Sequence, residues 1–195
     1  MNHGEKSSRV QTQNQRDSSS DQQLVAAIND GDAAAFEVLY FRHRDWAVNL
    51  AHRFTGSEDL ALDVMQETFL YLLRKFPGFQ LTANLKTFLY PAVKNLSTAA
   101  RRKAARHQST EAEQQLLEQT AVEAAPPNPS SDLAAVLANL TEEHREVLLL
   151  RFVDDLPLAD IAEATGVPLG TVKSRLHHAL DALRQDKRAK QFFDE

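Results

Sequence analysis

The densest set of side chains suited to recognition lies in Thr171-Val-Lys-Ser-Arg-Leu-His-His178. Thr171, Lys173, Ser174, Arg175, His177 and His178 supply short hydroxyls, cations and imidazoles. These are the donors and acceptors that read base edges and phosphates of duplex DNA. At about 100° per residue, Gly170, Ser174, His177, His178 and Asp181 fall on one side of a helix, flanked by Thr171, Lys173 and Arg175. Val172, Leu176, Ala179, Leu180 and Leu183 form the apolar stripe opposite, which would dock the helix by its back. Metal binding at His177-His178 fits poorly, because adjacent helical residues diverge by about 100° and a third ligand is missing.

Two further sets stand out. Arg101, Arg102, Lys103 and Arg106 form a basic island, preceded by Lys94 and Asn95. Single-stranded nucleic acid is held by such cations when stacking or pocketing side chains accompany them. The other set is acidic. Asp63, Gln66 and Glu67 lie three or four residues apart, so a helix would gather them into a carboxylate–amide–carboxylate patch able to accept hydrogen bonds from Arg or Lys. Taken alone, that patch reads as an ordinary solvated face.

Composition bounds the rest. The chain has 195 residues, enough for one or two domains, and no cysteine, so disulfides and thiolate metal sites are excluded. Its net charge of −5 argues at first against nucleic acid. The distribution matters more: basic residues gather in two islands, while acidic ones concentrate around Glu58–Glu67 and Glu111–Glu123. No apolar run nears the roughly 20 residues of a membrane span, so no membrane insertion is expected. The polar, Ser/Gln-rich start lacks a signal-peptide core, and a cytoplasmic protein is the expectation. No Gly-rich phosphate loop, nucleophile motif or metal-ligand cluster occurs, which argues against an enzyme; no cofactor or metal is expected.

Helices must position these sets, because strand signals are weak throughout. Residues 1–20 read as a disordered tail. Asp21 is expected to cap a short helix through Ile28, and Asp32 a longer one ending at Thr55-Gly56. Ser57, with Glu58 and Asp59 behind it, opens a third whose stripe is Leu60, Val64, Phe69, Leu72 and Leu73. A fourth begins near Asn84 and continues through Arg106, with a kink or restart at Pro91. The breaker-rich 107–131 stretch, ending Ala124-Ala-Pro-Pro-Asn-Pro-Ser-Ser131, reads as an interdomain linker. Beyond it, Leu133, Val136, Leu137 and Leu140 mark one helix, and Thr141 caps the next, with Val147–Phe152 as its apolar body. A helix from Leu158 stops at Gly166, and Val167-Pro168 leads into the helix of the first set, a helix-turn-helix pattern. The expected fold is all-α: two small helical domains, 21–106 and 132–190, joined by a flexible linker.

Three segments resemble the bacterial RNA polymerase sigma factors of the extracytoplasmic-function (ECF) subfamily of the sigma-70 family. They are Asp63-Val-Met-Gln-Glu-Thr-Phe-Leu-Tyr-Leu-Leu-Arg74, Phe88-Leu-Tyr-Pro-Ala-Val-Lys-Asn-Leu96 with the basic island after it, and Leu140-Thr-Glu-Glu-His-Arg-Glu-Val-Leu-Leu-Leu-Arg-Phe152 running into the helix-turn-helix. The resemblance implies that residues 21–106 form sigma domain 2 and 132–190 sigma domain 4. It implies that Asp63, Gln66 and Glu67 meet the β′ clamp helices of core RNA polymerase. Lys94, Asn95, Arg101, Arg102, Lys103 and Arg106 would meet the melted −10 element of promoter DNA. Thr171, Lys173, Ser174, Arg175, His177 and His178 would meet the −35 element. The polymerase β flap and an anti-sigma factor are the further partners it implies. The chain departs from the family in four places: Leu85-Lys-Thr87 where a Trp is common, Pro91 within a helix where it is unusual, no Asp near Ser97–Thr98, and His178 where Arg is common. The alternative reading is a helix-turn-helix regulator that never joins polymerase.

Overall fold

The computed structural model describes residues 18–115 and 136–186, with side chains for 18–106 and 136–186. Every regular element among the described residues is helical. The chain divides into two compact units, Met1–His107 and Gln108–Glu195.

The first unit holds α1 (Asp21–Asn29), α2 (Ala33–Thr55), α3 (Glu58–Leu73) and the start of α4 (Leu85–Gln115). Ser20, not Asp21, caps α1: its Oγ accepts from the Gln23 N–H while the Gln23 side chain accepts from the Ser20 N–H, a reciprocal capping box. Asp21 is drawn elsewhere. Its carboxylate meets Arg42 Nη1 at 2.7 Å and His43 Nε2 at 2.8 Å, pinning α1 to α2. Burial pushes the Asp21 carboxyl up, but His43 and Arg42 together outweigh it and hold it below the ordinary carboxylate range.

The remaining caps follow the sequence. Asp32 accepts from the Ala34 N–H at 3.0 Å, Ser57 accepts from Leu60, and α2 ends at Gly56 in the left-handed region, φ 68°. The core joins Leu24 and Val25 of α1, Leu39 and Ala47 of α2, Met65, Phe69 and Leu72 of α3, and Leu85 and Leu89 of α4. Burying one such Leu or Phe side chain contributes about 1.5–3 kcal/mol. Leu73, expected in the stripe, is exposed instead.

The connection between α3 and α4 is tied to α1. Asn29 Nδ2 donates to the Phe79 carbonyl at 2.8 Å, and its Oδ1 accepts from the Gly78 N–H at 2.7 Å. Phe79 then packs on Phe76 and Phe88, with Tyr71 stacked on Phe88 at 6.0 Å. α4 runs as one element through Pro91, with no restart there. Pro91 is exposed and removes one N–H from the ladder, while Leu89, Tyr90 and Val93 around it are buried. The helix also passes Arg106 to Gln115, so the expected linker opens in helix. Its remainder, 116–131, lies outside the described residues, as do 1–17 and Leu133.

In the second unit a helical turn at 136–138 precedes α5 (Glu142–Phe152), α6 (Leu158–Thr165) and α7 (Leu169–Gln185). Thr141 caps α5 by accepting from the His144 N–H. Arg145 donates to the carbonyls of Leu137, Ala138 and Leu140, at 2.8, 3.1 and 2.9 Å, closing the turn before α5. Val136, Leu140 and Leu148 pack against Ala179 and Leu183 of α7, with Leu176 and Leu180 half-buried beside them. Phe152, expected in the apolar body of α5, is exposed. Gly166 ends α6 at φ 71°, and Pro168 stands at the cap of α7, where its carbonyl accepts from the N–H groups of Thr171 and Val172.

Candidate nucleic-acid interface

The back of α7 is settled by burial: Val172, Ala179 and Leu183 are its buried residues. That leaves Gly170, Lys173, Ser174, His177 and His178 exposed, with Thr171 and Arg175 half-buried at the flanks. A helix held by one apolar stripe, with short polar and cationic groups opposite, has the form a major-groove reader needs. Two features were not evident from sequence. Arg175 Nη2 donates to Glu143 Oε1 of α5 at 3.1 Å, which turns it toward α5. His144 of α5 comes within 5.9 Å of His178, ring centre to ring centre, so a third imidazole joins the pair.

The six residues expected to contact single-stranded DNA are not one patch. Lys94 and Arg101 turn toward the end of α2. The Lys94 ammonium lies 5.9 Å from the ring centres of both Phe54 and Tyr90, and Arg101 Nη1 donates to the Phe54 carbonyl at 3.3 Å. Asn95, Arg102 and Arg106, seven and then four residues apart, form one exposed stripe along α4. Lys103 lies elsewhere, lining a groove between α3 and α4 with Asp63 and Glu67. Leu60, Val64, Leu96, Ala99, Ala100 and Ala104 make the groove's apolar floor.

Asp63, Gln66 and Glu67 are all exposed on α3, and Gln66 lies outside the groove. The sequence reading missed the apolar partners of this face. Leu62 and Leu70, at positions that flank Gln66 by one turn on either side, are 41% and 44% exposed. Leu62 lines a second groove with Tyr40, Arg44, Asp45, Val48, Asn49 and Met65. Excess leucines on an acidic helix were the available signal, since one stripe needs fewer than α3 carries. Polar ends flanked by exposed leucines can hold a partner helix by both burial and charge.

Both units match known families. Residues 39–107 match Sigma-70 region 2, and residues 136–185 match Sigma-70, region 4. The chain is 30% identical over 179 residues to the ECF RNA polymerase sigma factor SigE of Mycolicibacterium smegmatis, covering 85% of this chain and 68% of that protein. It is 26% identical over 177 residues to ECF RNA polymerase sigma factor SigW of Bacillus subtilis, covering 84% and 95%. In fold it is similar to the sigma factor RpoE, solved in complex with the anti-sigma factor NepR, from Bartonella quintana. That likeness has a TM-score of 0.56 at 22% identity and covers 82% of this chain and 96% of that one. Matches to both regions disfavour a helix-turn-helix regulator that acts without polymerase. The chain belongs to the ECF RNA polymerase sigma factors of the sigma-70 family.

Proposed function

We propose that this sigma factor works through three surfaces that core polymerase brings into play together. Asp63, Gln66 and Glu67, with Leu62 and Leu70 beside them, receive the β′ clamp helices. Asn95, Arg102 and Arg106, supported by Lys94 and Arg101, follow the melted strand at the −10 element, and Lys103 belongs with the acidic groove. Thr171, Lys173, Ser174, His177 and His178 enter the major groove at the −35 element, with Arg175 at its edge. On this reading 21–106 and 132–190 are the working modules, and the second also meets the β flap. The observation that carries the reading is the two-sidedness of α7, whose buried Val172, Ala179 and Leu183 leave the candidate readers outward.

Each module alone binds DNA weakly in this account, and polymerase makes the second contact effectively intramolecular. The protein acts in the cytoplasm, without catalysis or cofactor, and an anti-sigma protein competes for the same surfaces. Among the described residues no helix is long and apolar enough to cross a membrane. Promoter-directed transcription with reconstituted core polymerase tests the assignment. Glu67→Ala is expected to reduce transcript by weakening holoenzyme assembly, and Lys173→Ala to reduce it with assembly intact. If neither changes initiation, the assignment fails.

A further inference from the structure

The exposed side of α7 carries a carboxylate on the stripe assigned to DNA. Asp181 engages a different neighbour with each oxygen: Oδ2 lies 3.0 Å from His177 Nε2, and Oδ1 accepts from Arg184 Nη1 at 3.0 Å. Across the α5–α7 contact, Glu143 holds Arg175 at 3.1 Å. Three of the nitrogen-bearing side chains on this helix therefore already face an acceptor before DNA arrives. Carboxylate and phosphate are alternative acceptors for the same imidazole and guanidinium groups. DNA must displace the first to gain the second.

The consequences differ for the two kinds of binding. Non-specific binding to duplex is almost wholly electrostatic, so a fixed negative charge among the cations opposes it in full. Specific binding adds base-edge contacts, each good pair discriminating by about 5- to 150-fold, which can offset the exchange. Asp181 sits one turn beyond His177 and His178, close enough to act on the same phosphates.

We propose that Asp181, assisted by Glu143, is a specificity-determining counter-charge: it occupies His177 and Arg184 until base contacts release them, and so suppresses binding to arbitrary DNA. The inference rests on reading α7 as the −35 helix. The surface position bounds the effect, since an exposed ion pair changes an equilibrium by only about 1.4- to 5-fold.

The test measures fluorescence anisotropy of holoenzyme, reconstituted from core polymerase with the wild-type or variant full chain, on two labelled duplexes of about 30 base pairs. One has mixed sequence; the other is the duplex that wild-type holoenzyme enriches from a random pool. Asp181→Asn keeps the side chain's shape and removes its charge. It is expected to tighten mixed-sequence binding about two- to thirtyfold, from two pairs of the size just given. The slope of log affinity against log salt steepens by roughly 0.9 per phosphate gained. The ratio of enriched to mixed affinity falls. Lys173→Ala, measured alongside, weakens both duplexes. Glu37→Gln, an exposed change on α2, alters net charge equally and is expected to do nothing. If Asp181→Asn leaves mixed-sequence affinity and slope unchanged while Lys173→Ala weakens binding, the counter-charge is overturned and the reading of α7 stands. If Lys173→Ala has no effect, the reading of α7 fails and takes the proposal with it. Equal gains from Glu37→Gln and Asp181→Asn also overturn it, because net charge rather than position would then be responsible.

Discussion

Removing the Asp21 carboxylate is expected to loosen the first unit by about 2–3 kcal/mol, a figure that follows from its two contacts. His43 is 6% exposed, and its Nδ1 is buried without a partner among the described residues. The 2.8 Å contact from Nε2 to Asp21 is therefore the ring's polar anchor there. Asp21→Ala leaves that nitrogen buried and unsatisfied, at a cost of about 1–3 kcal/mol. The Arg42 contact counts for less, under about 1 kcal/mol, because its side chain is 30% exposed. For a module of this size each kcal/mol moves Tm by about 4–8 °C, so a loss near 10 °C or more is expected at pH 7. The pH dependence carries the stronger test. In the folded protein the Asp21 carboxyl is held below its ordinary value, with burial opposing and His43 and Arg42 prevailing. Its stabilisation is therefore complete above about pH 4, the unfolded carboxyl's range, and is lost as pH falls through the lower folded value. Thermal melts of wild type and Asp21→Ala, followed by circular dichroism, should differ most near neutrality, and the gap should narrow as pH falls below about 4. A gap as wide at pH 3 as at pH 7, or a shift at pH 7 of under about 3 °C, would mean that Asp21 does not anchor His43 as a carboxylate.

Other outcomes are as definite. Arg145→Met keeps the stem but withdraws the donors from the Leu137, Ala138 and Leu140 carbonyls, and should cost the second unit about 2 kcal/mol in urea denaturation. Gly166→Ala should cost about 1–2 kcal/mol, since an added Cβ meets nothing within 4 Å and only the left-handed backbone at φ 71° opposes it. His178→Arg places a permanent cation on the exposed face of α7, so the salt dependence of holoenzyme binding to duplex should steepen by roughly 0.9. An unchanged slope would mean that this position does not meet phosphate.

Much of the fold is local and was legible as such. Asp32, Ser57 and Thr141 accept the cap hydrogen bonds that their positions alone suggest, and Gly56 and Gly166 take the left-handed conformations that end α2 and α6. Ser20 and Asp21 show where this stops. Both are good cap residues, and only the approach of Arg42 and His43, twenty residues on, decides which carboxyl or hydroxyl serves α1. Leu73 and Phe152 extend an apolar pattern, yet each is the last residue of its helix and stands exposed. The basic island divides for a related reason. Helical spacing alone would have gathered Asn95, Arg102 and Arg106, but the turn of Lys94 and Arg101 toward Phe54, and of Lys103 into the groove with Asp63 and Glu67, depends on neighbouring helices. On α7 the candidate readers were legible from the apolar stripe. Their counter-ions were not: the Arg175–Glu143 pair joins residues on two helices.

The central claim is that the two units become a promoter-specific device only in company with core polymerase. The direct measurement is the affinity of the full chain for a promoter duplex that it directs in transcription, with and without saturating core enzyme, at one salt concentration. Weak, sequence-tolerant binding by the free chain is expected, with a gain of about a hundredfold or more on adding core polymerase. Glu67→Ala should lower that gain and leave the free chain's binding unchanged. Tight, promoter-specific binding by the free chain, unaffected by core polymerase, would contradict it.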